Sequence, residues 1–369
     1  VQAAHAIATG WRSVAPDDQT IERPMSDGGP GFVQVVAAAL GAEIIDTSVS
    51  GPLGNEVPAE FAMHGSTAYL EAAQACGLTL VPVDQRDPEY TTSYGVGQLL
   101  DAALAEGAKK IVIGLGGSGT NDAGAGMLAA LGATADGPLD CGPRQFTRLR
   151  ELNLQRARDR VARVELVVAT DVDNSLLGLR GASRSYGPQK GATDEQVMRM
   201  EGSLEHFHRL VGLLPNGKDP AVALGAGAAG GLGYALLVLG GTRVRGISTV
   251  IDIVGLADLV AQSDLVVTGE GMFDWQSLRG KVVSGVAALA LAEARPCVVV
   301  AGQVLVGRRE YSATGVAAAY SVSDIAGGVE ASMADPAAAL AAAAARVAKT
   351  WSAGSSRGQR ERGTGKRAE

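Results

Sequence analysis

The sequence predicts an α/β protein of two domains. Three observations predict it. Short, near-continuous apolar runs rich in β-branched residues recur along the chain, amphipathic stretches separate them, and 369 residues exceed what one core usually serves. Strands of that kind belong to parallel sheets covered on both faces. Only 4% of the residues are aromatic and 50 are glycine, so the core must be built from Ala, Val, Leu and Ile, and much of the chain must run in turns.

Taken in order, the chain opens inside a helical pattern, with Ala3, Ala4, Ile7, Ala8 and Trp11 at helical spacing. A helix beginning without a cap predicts a segment before it. Strands are expected at 43–48, 78–83, 110–115, 164–170, 264–268, 297–301 and 316–321. Helices are expected at 32–40, 66–76, 96–106, 124–131, 194–213, 230–239, 282–294 and 336–351. The stretch 43–71 carries Ser50-Gly51-Pro52-Leu53-Gly54, a hairpin signal, and marks the passage from a first domain into an inserted one. Residues 352–369 have no aliphatic side chain larger than Ala and read as a disordered basic tail.

Composition excludes several classes. A net charge of −7 argues against a nucleic-acid binder, though an anionic small molecule remains open to helix N-termini and a few lysines. Cys76, Cys141 and Cys297 stand alone and far apart, forming neither a disulfide framework nor a metal signature, which fits a reducing cytoplasm. No apolar run is long enough for a membrane span. There is no GxxxxGK[ST], no HRD/DFG set and no GxSxG, and the four histidines show no metal or triad spacing.

The chemistry gathers where strands end. After Ile111-Val112-Ile113 come Gly114, Gly116, Gly117, Ser118, Gly119, Thr120, Asn121 and Asp122, a glycine turn whose amides can form an anion nest, with polar side chains beside it. Gly114–Gly119 also matches GxGxxG, with Asp136 about 20 residues on, the textual dinucleotide pattern; yet Asp136 sits in a turn rather than on a second strand. Asn121 and Asp122 could also simply cap the next helix. A second strand ends in Asp171, Asp173 and Asn174, carboxylates suited to a metal or a general base, or to an Asx turn. Gln189 and Lys190 follow in a Gly/Pro loop. A third ends in Gly269, Glu270 and Asp274, with Lys281 at a helix start, where a cation opposes the helix dipole and an anion would bind. Ser26-Asp27-Gly28-Gly29 precedes an apolar helix, and the loop 225–233 is Gly/Ala-rich enough to approach either a ligand or another segment closely.

Together these segments resemble the bacterial glycerate kinase family. The resemblance rests on Ile113–Ala133 (IGLGGSGTNDAGAGMLAALGA), Ala169–Gly178 (ATDVDNSLLG), Tyr186–Ala192 (YGPQKGA), Leu224–Gly233 (LGAGAAGGLG) and Val267–Lys281 (VTGEGMFDWQSLRGK), with Ser26–Gly29 and Thr92–Gly97 (TSYGVG) in support. It runs in order to about Trp351. It implies a discontinuous flavodoxin-like parallel-sheet domain (1–48 and 255–351) and an inserted α/β domain (49–254), with the active site between them. It also implies ATP- and Mg²⁺-dependent phosphorylation of glycerate, or a related small hydroxy acid, at the 2-hydroxyl. On that reading Asp171 or Asp122 is the base, and Asp173, Glu270 and Asp274 are candidates for the metal or its waters. Lys190, Lys281 and the 116–119 amides hold phosphate. Asp27, Gly28, Gly29, Gly116, Gly117, Ser118, Thr120, Asn121, Asn174, Gln189 and Gly269 line the substrate or nucleotide. The expected partner is the small molecule alone, with neither nucleic acid nor membrane, and a homodimer stays open.

The chain departs from the family pattern in four places. It lacks the opening strand with its Ser-Phe-Lys-Gly-type turn, and carries Pro30 where Glu is usual, Met272 where Arg is usual and Trp275 where Ser is usual. Those departures keep a second reading open, a kinase-like binding or regulatory module. The GxGxxG strings keep a third, a dinucleotide-dependent oxidoreductase.

Overall fold

The computed structural model describes residues 2–278 and 281–352. The expected tail, from residue 353 on, lies outside them. The fold is α/β, as expected, and divides into two compact units: Ser26–Ile253, and the residues up to Met25 together with those from Val254 onward.

The larger unit is built on a six-stranded sheet, β1 (Glu43–Ser50), β2 (Glu56–His64), β3 (Thr67–Glu71), β4 (Lys110–Gly114), β5 (Glu165–Ala169) and β6 (Thr242–Val244), in that spatial order. β1–β2–β3 form an antiparallel meander; β3 to β6 run parallel. The hairpin signal is real: Gly51 N–H donates to Asn55 O (2.6 Å) and Gly54 N–H to Gly51 O (3.0 Å), closing the turn between β1 and β2. β1 pairs along its whole length with β2, and Val33 and Ala37 of helix Phe32–Leu40 pack on Ala62 of β2. Residues 26–48 therefore sit in this unit, whereas the sequence reading grouped them with the other one.

Two elements differ from expectation. Residues 66–76, expected as one helix, form β3 and then a single turn, Ala73–Cys76. Pairing with β2 on one side and β4 on the other overrides the helix propensity of its alanines. Residues 78–83, expected as a strand, form two short 3₁₀ turns, Leu78–Leu80 and Val83–Gln85. Pro82 has no N–H to give a ladder. The core under the parallel half contains Leu70, Ile111, Ile113, Leu128, Val168 and Tyr234.

The smaller unit holds a parallel three-stranded sheet, β7 (Val266–Thr268), β8 (Cys297–Ala301) and β9 (Val316–Ser321), with β8 central. Val298 and Val300 pack with Val347 and Ala348 of helix Pro336–Trp351; the alternating Val299 is also buried, so both faces are covered. Helix Gln2–Arg12 lies against Pro336–Trp351 at Gly10, where a methyl group would stand 2.0 Å from Ala341 O.

Candidate active site

Glu71, Gly114, Ala169 and Val244 stand in register, so the four parallel strands of the larger unit end level with one another. Ligands of parallel sheets sit beyond such carboxyl ends. The loop 26–31 lies across them. Gly116 N–H donates to Gly28 O (3.1 Å), and Gly29 N–H donates to Asp27 Oδ1 (3.1 Å). A Cβ at Gly116 would meet Gly29 Cα at 2.4 Å, so this glycine is needed for chain packing. The loop is anchored by Glu71, which the sequence reading missed. Its Oε2 accepts from Gly31 N–H (2.8 Å) and Phe32 N–H (3.0 Å), at the start of helix Phe32–Leu40. Burial pushes the Glu71 carboxyl up to about 7 against the pull of those amides. The only textual signal was an acid closing an apolar run, Ala68–Leu70.

Asp171 follows β5 directly. Its Oδ2 accepts from Ile247 N–H (3.0 Å), while Oδ1 is buried without a hydrogen-bond partner. Burial raises its carboxyl to about 6; the Ile247 amide opposes this, Asp27 adds to it, and Arg243 and Arg245 oppose it. Asp27, half-buried, is thus a neighbouring carboxylate. The two approach because residue 246 is glycine: a Cβ there would stand 2.3 Å from Asp27 O and 3.1 Å from Asp171 Oδ2. A buried carboxylate with one unpartnered oxygen and a raised pKa is a candidate general base.

The other residues after β5 are engaged differently. Asp173 Oδ1 accepts from Arg243 (2.5 Å), whose guanidinium also donates to Thr170 O (3.3 Å). Asn174 donates to Arg180 O (2.7 Å) and Ser185 Oγ (3.0 Å) and accepts from Tyr186 OH (2.8 Å), tying its loop to helix Ala182–Tyr186. Gln189 is exposed.

The residues of the glycine turn after β4 are engaged largely with the protein itself. Asp122 is fully buried and saturated: it accepts from Ser93 N–H (2.8 Å), Ser93 Oγ (2.8 Å), Gly124 N–H (3.1 Å) and Gly126 N–H (3.2 Å). It organises the entry to helix Ala125–Ala130 and has no oxygen left for base catalysis. Lys190 is buried beneath the turn, donating to Ser118 Oγ (3.0 Å) and Thr120 O (2.6 Å). Burial lowers its pKa to about 8, resisted by Cys76 and Asp122. It holds the turn through these two hydrogen bonds. The Gly116 and Gly119 amides are also engaged, with Gly28 O and Cys76 O (2.7 Å), leaving less of a nest than expected; Gly117, at φ 73°, is the exposed member. Asn121 is buried and donates to Ser183 Oγ (2.9 Å).

Of the GxGxxG glycines, Gly114 and Gly116 pack against residues 28–29 and Gly119 against residues 77–78. The loop 225–233 resolves likewise: a Cβ at Gly230 would meet Thr120 O at 1.9 Å, and Ala123 N–H donates to Gly230 O (3.0 Å). It supports the 120–123 turn.

The remaining candidates lie in the smaller unit. Gly269 ends β7 close to Val300 O, which a Cβ would meet at 2.0 Å. Glu270 O accepts from Gly302 N–H (3.1 Å). Asp274 Oδ1 caps a turn, accepting from Gln276 N–H (2.8 Å) and Ser277 N–H (3.2 Å). Lys281 precedes helix Val282–Ala292 and donates to Gln276 Oε1 (3.4 Å). Met272 and Trp275 are exposed. Arg279 and Gly280 lie outside the described residues. No group of three or more His, Cys, Asp or Glu among the described residues could hold a metal. Asp173 and Asp274 each have one oxygen, Oδ1, engaged in hydrogen bonds.

A separate hollow of about 720 Å³ in the larger unit is lined by Asp87, Glu89, Tyr90, Arg144, Gln196 and Arg199 among others. Glu89 and Arg199 pair there through two hydrogen bonds (2.9 and 2.8 Å), so its buried acid offers no open oxygen.

Comparison with known proteins agrees with the motif pattern. The model of the glycerate kinase family matches residues 1–352. A glycerate kinase of Haemophilus influenzae is 41% identical over 309 residues, 82% of each chain. A glycerate 2-kinase of Escherichia coli is 41% identical over 313 residues, 82% of this chain and 81% of its own. A crystal structure assigned as a glycerate kinase 2 from Salmonella typhimurium LT2 superposes with a TM-score of 0.76 at 36% identity, covering 96% of this chain and 95% of that one. With the level strand ends, the half-satisfied Asp171 and motifs matched from end to end, the chain belongs to the glycerate kinase family.

Proposed function

We propose that this chain is an ATP-dependent kinase that phosphorylates glycerate at the 2-hydroxyl, giving 2-phosphoglycerate and ADP. The observation that carries the reading is Asp171: a carboxylate at the sheet's carboxyl edge with one buried, unpartnered oxygen and a raised pKa. The name of the Escherichia coli relative supports the 2-position.

Asp171 Oδ1 accepts the 2-hydroxyl proton as that oxygen attacks the γ-phosphorus; the bond to the bridging oxygen breaks and ADP leaves. Ile247 N–H holds Asp171 by its other oxygen, fixing the direction of the open one. Asp27 raises the basicity of Asp171 by like-charge repulsion. Lys190, Asp122 and Asn121 keep the 116–122 turn rigid. Mg²⁺ would shield the transferred phosphates. No helix among the described residues is long and apolar enough to cross a membrane.

The test is ADP release with ATP and Mg²⁺, with and without glycerate. Turnover that requires glycerate supports the reading; its absence overturns it. Tight glycerate binding without turnover would favour the binding-module reading, to which the exposed Met272 and Trp275 point.

A further inference from the structure

Resting on the function proposed above, we infer that Arg245 binds the substrate's carboxylate and so selects an acidic acceptor over a neutral alcohol. A hydroxy acid placed with its hydroxyl at Asp171 brings its own negative charge beside two carboxylates, Asp27 and Asp171. Unless a cation receives it, that approach is repulsive.

The neighbouring cations differ in what they have left to give. Lys190 is buried and donates to Ser118 and Thr120. Arg243 donates to Asp173 and Thr170 O, and Gly225 packs on it so closely that a Cβ there would stand 2.8 Å from its Cδ. Arg245 is exposed, and its side chain makes no hydrogen bond or ion pair among the described residues.

Its backbone, by contrast, is fixed at the edge of the site. Val244 O accepts from Thr170 N–H (3.1 Å), Arg245 O accepts from Thr249 N–H (3.1 Å) and Oγ1 (2.9 Å), and Ile247 N–H reaches Asp171. A held backbone with an uncommitted guanidinium suits a ligand contact. The position also opposes local electrostatics, because Arg245 immediately precedes helix Gly246–Ile253, whose N-terminus repels a cation. A planar guanidinium matches a carboxylate through two parallel hydrogen bonds, which a lysine cannot reproduce.

The experiment compares wild type, Arg245→Met and Arg245→Lys by steady-state kinetics on glycerate and on glyceramide, its neutral amide. Arg245→Met should raise KM for glycerate ~10–100-fold, the loss expected for a charge-assisted pair, with a smaller change in kcat and none in KM for ATP. The preference for glycerate over glyceramide should shrink by a similar factor, and Arg245→Lys should restore part of it. An unchanged KM and preference in Arg245→Met, with wild type active, overturns this inference and leaves the proposed function standing. If wild type turns over no glycerate, the proposed function fails instead. Calorimetric glycerate binding by wild type and Arg245→Met then decides Arg245, with equal affinities, or no binding to either, counting against it.

Discussion

Asp122 and Asp171 both follow parallel strands of the larger unit, Asp122 after a glycine turn and Asp171 two residues past its strand, yet they are engaged in opposite ways. Asp122 accepts four hydrogen bonds and is sealed in. Asp171 accepts one and keeps a buried oxygen open. The difference teaches that a strand-end carboxylate becomes a candidate base through the donors it lacks. Burial raises the pKa of both, so the shift alone does not separate them; hydrogen-bond saturation does.

The sharpest way to break the comparison is to remove each charge. Asp171→Asn should lower kcat ~10²–10⁴-fold, the usual contribution of a general base, while the melting temperature stays close to wild type. Single-turnover ADP formation beside a thermal melt reads both; an unchanged kcat removes Asp171 from the chemistry. Asp122→Ala should do the reverse in kind. Stranding buried donors of Ser93, Gly124 and Gly126 should cost ~3–5 kcal/mol in urea unfolding. If it costs nothing measurable, Asp122 is not the organiser described.

Glu71 sharpens the comparison as a third strand-end acid, buried but half-satisfied by helix amides. Its carboxyl is raised from 4.5 to about 7, so between those values the folded state holds a proton that the unfolded state has lost. Its contribution to stability is therefore full below about pH 4.5 and is lost as pH rises through about 7. Glu71→Gln keeps the acceptor and removes the titration. Unfolding measured from pH 4.5 to 8 should show wild type declining relative to the variant by on the order of 3 kcal/mol. Parallel curves would contradict the assignment.

The smallest effect is the pH dependence of catalysis near neutrality. Asp171 must be ionised to accept a proton, and its carboxyl titrates at about 6. The kcat/KM for glycerate should be nearly flat above pH 7 and fall about tenfold per unit well below pH 6. A profile with no acid limb near 6 would separate the base from Asp171.

Much of this was legible in advance. The strands at 110–114, 165–169 and 297–301, the helix at 194–211 and the hairpin turn at 51–54 follow from local periodicity and turn chemistry. β3 was not, because its alternation spans five residues and merges into an alanine-rich turn. β6 was not either, because it spans only three residues after Gly240-Gly241.

By itself the sequence determined the α/β class, the family and the strand-end stretches that hold the candidate residues, since these depend on patterns only a few residues long. Only the tertiary structure decided which polar groups remain open. Lys190 is engaged by residues 70 and 72 positions away, Asp122 by Ser93, 29 away, and Asp171 by Ile247, 76 away. Whether a carboxylate is satisfied depends on donors brought in by other strands and loops, and no local pattern records them.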